Sequence, residues 1–389
     1  MKIIILFQYP IEPTGGSLQG YYLMKGLREL GHEVIPCDPE NNMQKEWLYA
    51  VFKPDVVIGI GFWGDTPDLI LDPLNHGLKP VPWLNADGWI ANYHKILSDL
   101  PLLAVTSNWV KKTYIRDGVK GDNIYHVSIG YDPDVFYPMQ KNDTSIMKLR
   151  EMIGVKPDEL MLLTMGGDVT SKGAQEMLRA LAKIDKDFPK WKYVLKLWDQ
   201  SDFSAENHGK EEKALIEQLG IDKEKIIYLH GKFAPEFMAK LINACDIYAA
   251  PSRLEGFGMI QLEAQACGKP VISINAGGPV DTIIHNVTGF LADVGEEVKL
   301  EKEWVYSHMG FETEHQIEFE EPKTFAYKAN IDQLADYTLK LFTDKELREK
   351  MGKAAAKHAL EKFHYKTTAK QMAELIEKYV INTEKIKFA

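Results

Sequence analysis

Cysteine is scarce in this chain: only Cys37, Cys245 and Cys267 occur among 389 residues. Three widely spaced thiols make neither a disulfide framework nor a zinc ligand set, so they read as small buried apolar residues in a reducing, cytoplasmic compartment. Long apolar runs are missing too. The opening "IIILF" after Lys2 runs straight into Tyr9-Pro10, which is too short for a membrane span or a signal-peptide core and reads as a first strand. Positive charge is in deficit. A net charge of −10 argues against a nucleic-acid partner held by phosphate contacts. No solenoid repeat and no low-complexity tract is present.

What is present is an ordinary globular composition, 45% hydrophobic and 26% charged, in a chain long enough for two domains. Short apolar runs alternate with amphipathic segments, the pattern of parallel α/β units. Strands are expected at 2–7, 55–60, 80–85, 101–106 and 124–128, and again at 160–165, 192–197, 225–229, 246–250 and 270–274. The polar stretch 138–159 lies between the two series. The expected architecture is therefore two consecutive doubly wound, Rossmann-like domains, 1–157 and 158–365, with a ligand in the crevice at the carboxyl ends of the sheets.

The most informative stretch is "PSRLEGFGMIQLEAQACGKPVIS", residues 251–273. Ser252, Glu255, Gly256 and Gly258 suit a loop, and Met259, Ile260, Leu262, Ala264 and Ala266 suit a buried helix that stops at Gly268-Lys269-Pro270. A helix start offers unpaired N–H groups and partial positive charge, a seat for phosphate. Glu255 stands just before that seat and Glu263 two turns inside the helix, where both can accept hydrogen bonds from hydroxyls beside a diphosphate. Taken singly, the better reading is a capped helix with Glu255 as a first-turn acid and Glu263 as a solvated residue.

The whole string resembles the donor-binding segment of the retaining glycosyltransferases of family 4, which have the GT-B fold. The match runs through Ser252, Glu255, Phe257, Gly258, Glu263, Ala266, Gly268, Pro270, Val271, Gly277 and Gly278. Elsewhere Gly15-Gly16 is similar to the family's amino-terminal glycine loop, Gly130, Asp132 and Phe136 to its Gly-x-Asp-x-x-x-Phe element, and 366–389 to a last helix that completes the first domain. The resemblance implies metal-independent, cofactor-free transfer of a sugar from a nucleoside diphosphate to an acceptor hydroxyl. Glu255 would contact the donor sugar, Glu263 the ribose, and Gly231-Lys232-Phe233 the base. Lys172 and the backbone of Gly256 to Ile260 would hold the diphosphate. The acceptor is a small molecule, a glycan or a lipid-linked sugar. A sugar-nucleotide epimerase of the same fold and a noncatalytic sugar-nucleotide-binding protein are the rival readings, and a homo-oligomer remains open.

Two departures from the family pattern stand out. Where the family carries an arginine ahead of the lysine, "GGDVTSKG" has Gly167; a departing diphosphate needs positive charge, which leaves Arg253, Lys196 or backbone N–H groups to supply it. Where many relatives have a histidine, "VPWLNADGWIANYHK" has Asp87. That residue is either a base and hydroxyl contact or an Asx turn before Gly88, with His94 as a nearby substitute. Trp63 and Trp89, next to glycines after strands, are expected as acceptor platforms among largely core aromatics. Gly59-x-Gly61-x-x-Gly64 satisfies the dinucleotide spacing, but Phe62, Trp63, Asp65 and Asp68 put bulk and negative charge where pyrophosphate would sit. The acidic, aromatic segment 294–330 shows no clean period and is either a lid, flap or oligomer contact, or a β excursion on the surface. Lys111, Lys112, Arg116 and Lys120 form a modest basic helix face, for solvent in preference to a membrane.

Overall fold

The computed structural model describes residues 1–86, 88–140, 142–198 and 205–382, and these divide into two compact units. The first comprises Met1–Asp132, Lys299–Phe325 and the chain from Phe363; the second comprises Pro133–Val298 and Ala326–Lys362.

In the first unit, β1 (Lys2–Leu6), β2 (Glu33–Cys37), β3 (Val56–Phe62), β4 (Pro80–Asn85), β5 (Leu103–Val105) and β6 (Ile124–His126) form a parallel sheet ordered β2-β1-β3-β4-β5-β6. Its strands are apolar on both faces because helices cover both: Ile3, Ile4, Ile5 and Leu6 are all fully buried. Thr14 caps the helix Gly15–Glu29 by accepting from the Ser17 N–H, and the Tyr365–Ile376 helix packs on it through Tyr365, whose hydroxyl donates to Glu29 at 2.8 Å. Residues 383–389 of the expected last helix lie outside the described residues.

The second unit repeats the theme with β7 (Leu160–Met165), β8 (Trp191–Leu197), β9 (Ile226–His230), β10 (Ile247–Ala249), β11 (Val271–Ile274) and β12 (Gly289–Ala292), ordered β12-β11-β10-β7-β8-β9. This is the doubly wound order in which β7 and β10 are neighbours and the connections diverge from them. Leu162, Leu195, Ile247 and Ile272 pack on one face against Met177 and Leu181 of the helix Ala174–Ile184 and Leu334 and Leu341 of the helix Ile331–Thr343.

Two details differ from the sequence expectation, and the 294–330 segment takes the β form, one of its two readings. The 138–159 stretch holds a helix, Thr144–Met152, started by the Asp143 carboxylate accepting from Ser145 N–H; it groups with the second unit, so the division falls at Asp132/Pro133. The expected helix at 279–285 shrinks to Pro279–Thr282. The 294–330 segment is a two-stranded ribbon of β13 (Val294–Val305) and β14 (His315–Ala329). A ribbon largely open to solvent buries no continuous face, which is why its sequence carries weak alternation.

The ribbon's distal part, Lys299–Phe325, groups with the first unit. Lys323 pairs with Asp117 at 2.8 Å, Phe319 lies 5.4 Å from Trp89, and Asn92 donates to the Met309 carbonyl at 3.1 Å. Among the described residues no helix is long and apolar enough to cross a membrane.

Candidate functional site

Two site candidates of the second unit, Lys172 and Glu255, meet where its strand order reverses. Lys172 follows β7 and Glu255 follows β10, and their side chains meet with Nζ and Oε2 2.7 Å apart. Both are only partly exposed, 24% and 18%, so water screens the pair less than it would on an open surface.

The local backbone explains how two residues 83 positions apart reach each other. Gly173, directly after Lys172, has φ +82 and starts the helix Ala174–Ile184; a Cβ there would lie 2.4 Å from the Pro251 carbonyl oxygen. Only glycine suits both the left-handed backbone and that approach. Arg253 N–H then donates to the Ser171 carbonyl at 2.8 Å, stitching the loop after β7 to the loop after β10.

Glu255 is held from behind. The Gly278 N–H donates to the Glu255 carbonyl at 2.8 Å. Gln261 braces the same loop from the following helix, donating to Ala250 O at 2.8 Å and Ser252 Oγ at 3.3 Å. Gly258, φ +94, is the N-cap of the helix Met259–Ala266, whose first-turn N–H groups have no intrahelical acceptor. Met259 and Ile260 are half-buried at that start, while Gly256 and Phe257 are buried beneath it.

Glu263 sits one turn from the end of this helix, 5% exposed, without a side-chain partner among the described residues. Burial pushes its carboxyl from an ordinary 4.5 up to about 8. It shares surroundings with Glu255, since burial and then the charges of both glutamates hold the Tyr248 hydroxyl well above its usual range. A carboxyl raised in this way takes up a proton on folding. Its stabilisation is full below the unfolded value and is lost as pH rises through the folded value.

Glu263→Gln is therefore expected to melt higher than the parent at pH 8.5, by about 2–4 kcal/mol in unfolding free energy, with the difference vanishing toward pH 4.5. Calorimetry across that range checks it. A pH-independent difference would show that folding does not raise the Glu263 carboxyl above its unfolded value.

The other sequence candidates fall into three groups. Arg253 does not present a free guanidinium: its Nε donates to Glu176 at 3.0 Å and its Nη2 to Gln175 at 3.0 Å. Glu176 and Gln175 were not foreseen, because polar residues on a helix give no sign in sequence of which neighbour they meet. Gly231, Lys232 and Phe233 follow β9, with the Lys232 ammonium 5.1 Å from the Trp198 ring and the Lys196 ammonium 5.7 Å from the Phe233 ring. Asp87 lies outside the described residues.

On the first unit, Gly15 and Gly16 open the helix after β1. A Cβ at Gly16 would meet nothing within 4 Å, so packing does not require glycine there. Trp63 is not an accessible platform: it is 1% exposed, with Trp89 5.2 Å away and Phe319 beyond Trp89. The Gly that follows it marks a turn into the core instead of a surface shelf. Trp89 is half-buried under the ribbon, and His94 is half-buried beside a cavity of about 550 Å³ also lined by Asn92, Tyr93, Lys95, Ile96 and Asp99.

The two parallel six-stranded sheets define a GT-B protein, a class that holds its solved neighbours. The structure of Anabaena Alr3699/HepE in complex with UDP and glucose superposes with a TM-score of 0.71 at 20% identity, over 97% of this chain and 100% of that one. Sucrose-phosphate synthase from Thermosynechococcus elongatus superposes with a TM-score of 0.72 at 16% identity, over 98% and 100%. Residues 145–303, with Lys172 and Glu255 inside them, match the family model described as Glycosyl transferases group 1. A D-inositol 3-phosphate glycosyltransferase of Xylanimonas cellulosilytica is 30% identical over 221 residues, 56% of this chain and 51% of that protein. The chain thus spans about half the length of that relative. The mouse alpha-1,3/1,6-mannosyltransferase ALG2 is 26% identical over 79% of this chain and 74% of its own length.

Proposed function

We propose that this protein is a retaining, metal-independent glycosyltransferase of family 4 that acts in the cytoplasm on a nucleoside diphosphate hexose. The observation that carries the reading is the Lys172–Glu255 pair at the point where the second unit's strand order reverses. A Rossmann-like sheet binds its nucleotide at that place, and the relatives' names point to the same chemistry.

In this scheme the anomeric C–O bond to the diphosphate breaks with its electron pair going to the phosphate oxygen. The acceptor oxygen bonds to the anomeric carbon, and the acceptor proton leaves with the nucleoside diphosphate. Charge grows on the diphosphate in the transition state, where Lys172 and the N–H groups of Gly256 to Ile260 stabilise it. Glu255 orients the sugar through its hydroxyls while fixing the Lys172 ammonium. Glu263, neutral near pH 7, both donates and accepts toward the ribose diol, and the Gly231–Phe233 loop borders the base. Gly15 and Gly16 admit backbone approach by a ligand. Trp89 and His94 stand on the first unit, where the acceptor is assigned, and Asp87 is assigned the role of base or acceptor contact from the sequence alone.

A thermal-shift panel of UDP, GDP, ADP, their sugar conjugates and NAD tests the reading, because a ligand at a hundred times its Kd adds about 2.7 kcal/mol to stability. One nucleoside diphosphate and its sugar conjugate should raise the melting temperature. That conjugate should then be consumed only with acceptor present, which an epimerase or a pure binding protein would not do. A shift with NAD alone would sink the proposal.

A further inference from the structure

Three lysines are buried among the described residues: Lys45, Lys196 and Lys269. Two have oxygen partners that explain their burial. The Lys45 ammonium lies 3.3 Å from each of Asp68 and Asp72, and the Lys269 ammonium donates to the Asn243 carbonyl at 2.7 Å. Lys196 is 3% exposed and has no acid and no hydrogen-bond acceptor for its ammonium among the described residues. Its ammonium lies 5.7 Å from the Phe233 ring, and a cation over one ring recovers little of the cost of leaving water.

Its place in the fold gives this defect a direction. Lys196 is next to last in β8 and paired with Met165, the last residue of β7. The Gly166 N–H that follows donates to the Lys196 carbonyl at 3.0 Å. A Cβ on Gly166 would touch the Lys172 side chain at 2.9 Å, so the stem of Lys172 lies directly over this backbone. The next residue, Gly167, has no room for the arginine that the sequence pattern lacks: its Cβ would meet the Trp198 ring at 2.9 Å. Trp198 fills the space, and Arg253 is tied to Glu176. Lys172 shares its charge with Glu255, 2.7 Å away. Among the described residues, the carboxyl end of the sheet therefore holds one buried positive group without a counter-charge.

We propose that the Lys196 ammonium is an anion-binding group that takes a phosphoryl oxygen of the donor diphosphate, supplying the charge that no arginine provides. The inference rests on the nucleoside diphosphate reading above and specifies how that site is completed. Burial also lowers the ammonium to about 8, so the free protein holds this charge at a cost that an arriving phosphate relieves.

The test is Lys196→Met, which keeps the stem and removes the charge. UDP, GDP and ADP are titrated into the parent by calorimetry at pH 7, and the one that binds is titrated into the variant beside the corresponding nucleoside. The variant should bind the diphosphate at least tenfold more weakly and the nucleoside within twofold of the parent. Its ligand-free melting temperature should rise, because an unpaired buried charge has gone. Diphosphate affinity within twofold of the parent, an equal loss for the nucleoside, or a lower ligand-free melting temperature would each overturn the inference. If none of the three nucleotides binds the parent, the glycosyltransferase reading itself falls, a result visible before the variant is made.

Discussion

Lys172→Met and Glu255→Gln are each expected to lower kcat by about two to three orders of magnitude while the protein remains folded. Removing one group that stabilises developing charge at a water-poor site costs this much, and the two residues form one unit. In the proposed scheme, losing Lys172 removes an ammonium from the departing diphosphate, and losing the Glu255 carboxylate removes the contact that fixes that ammonium 2.7 Å away. The double variant should therefore be little worse than either single one, since residues that act together are not additive. Steady-state kinetics with the donor identified by the binding panel, alongside circular dichroism, checks both points. Near-normal turnover in either single variant would remove that residue from the mechanism.

The second large effect concerns a residue that touches no ligand in this scheme. Gly278→Ala would place a Cβ 2.3 Å from the Gly256 carbonyl oxygen and 2.4 Å from the Phe257 Cα. Both obstacles are backbone, so no side-chain rotation relieves them, and overpacking of this kind costs about 3 kcal/mol or more. The turn that carries Glu255 must move instead. A shift of about 1 Å at a reacting centre is worth about a hundredfold in rate, so activity should fall even in molecules that fold. A melting temperature unchanged within a degree would mean the turn yields freely and is not braced by the glycine pair.

The Gly277-Gly278 pair also shows how far the sequence can be read. As letters, the Glu-x-Phe-Gly turn and the later Gly-Gly are two motifs of one resemblance. In three dimensions they are one contact: a Cβ at Gly277 would lie 2.6 Å from the Glu255 carbonyl oxygen. The alternation of apolar and amphipathic segments was enough to expect two doubly wound sheets, because strands buried on both faces must be apolar throughout and their crossover helices must be amphipathic. The same pattern could not place the 294–330 ribbon, whose strands bury too little to alternate. It also could not place Trp63, because an aromatic beside a glycine reads alike whether the chain turns outward or into the core.

The sequence by itself determined the α/β architecture, the loop-to-helix start at Gly258 and the residue types, Lys172 and Glu255, on which the proposed chemistry depends. These follow from local periodicity, backbone preference and chemical identity. Only the tertiary structure decided which charges have partners. It tied Arg253 to Glu176, joined Lys172 to Glu255, filled the space beside Gly167 with Trp198 and left Lys196 buried with no acid beside it among the described residues. Pairing across 83 residues of chain depends on strand order, and strand order is a property of the folded sheet that no local window of sequence contains.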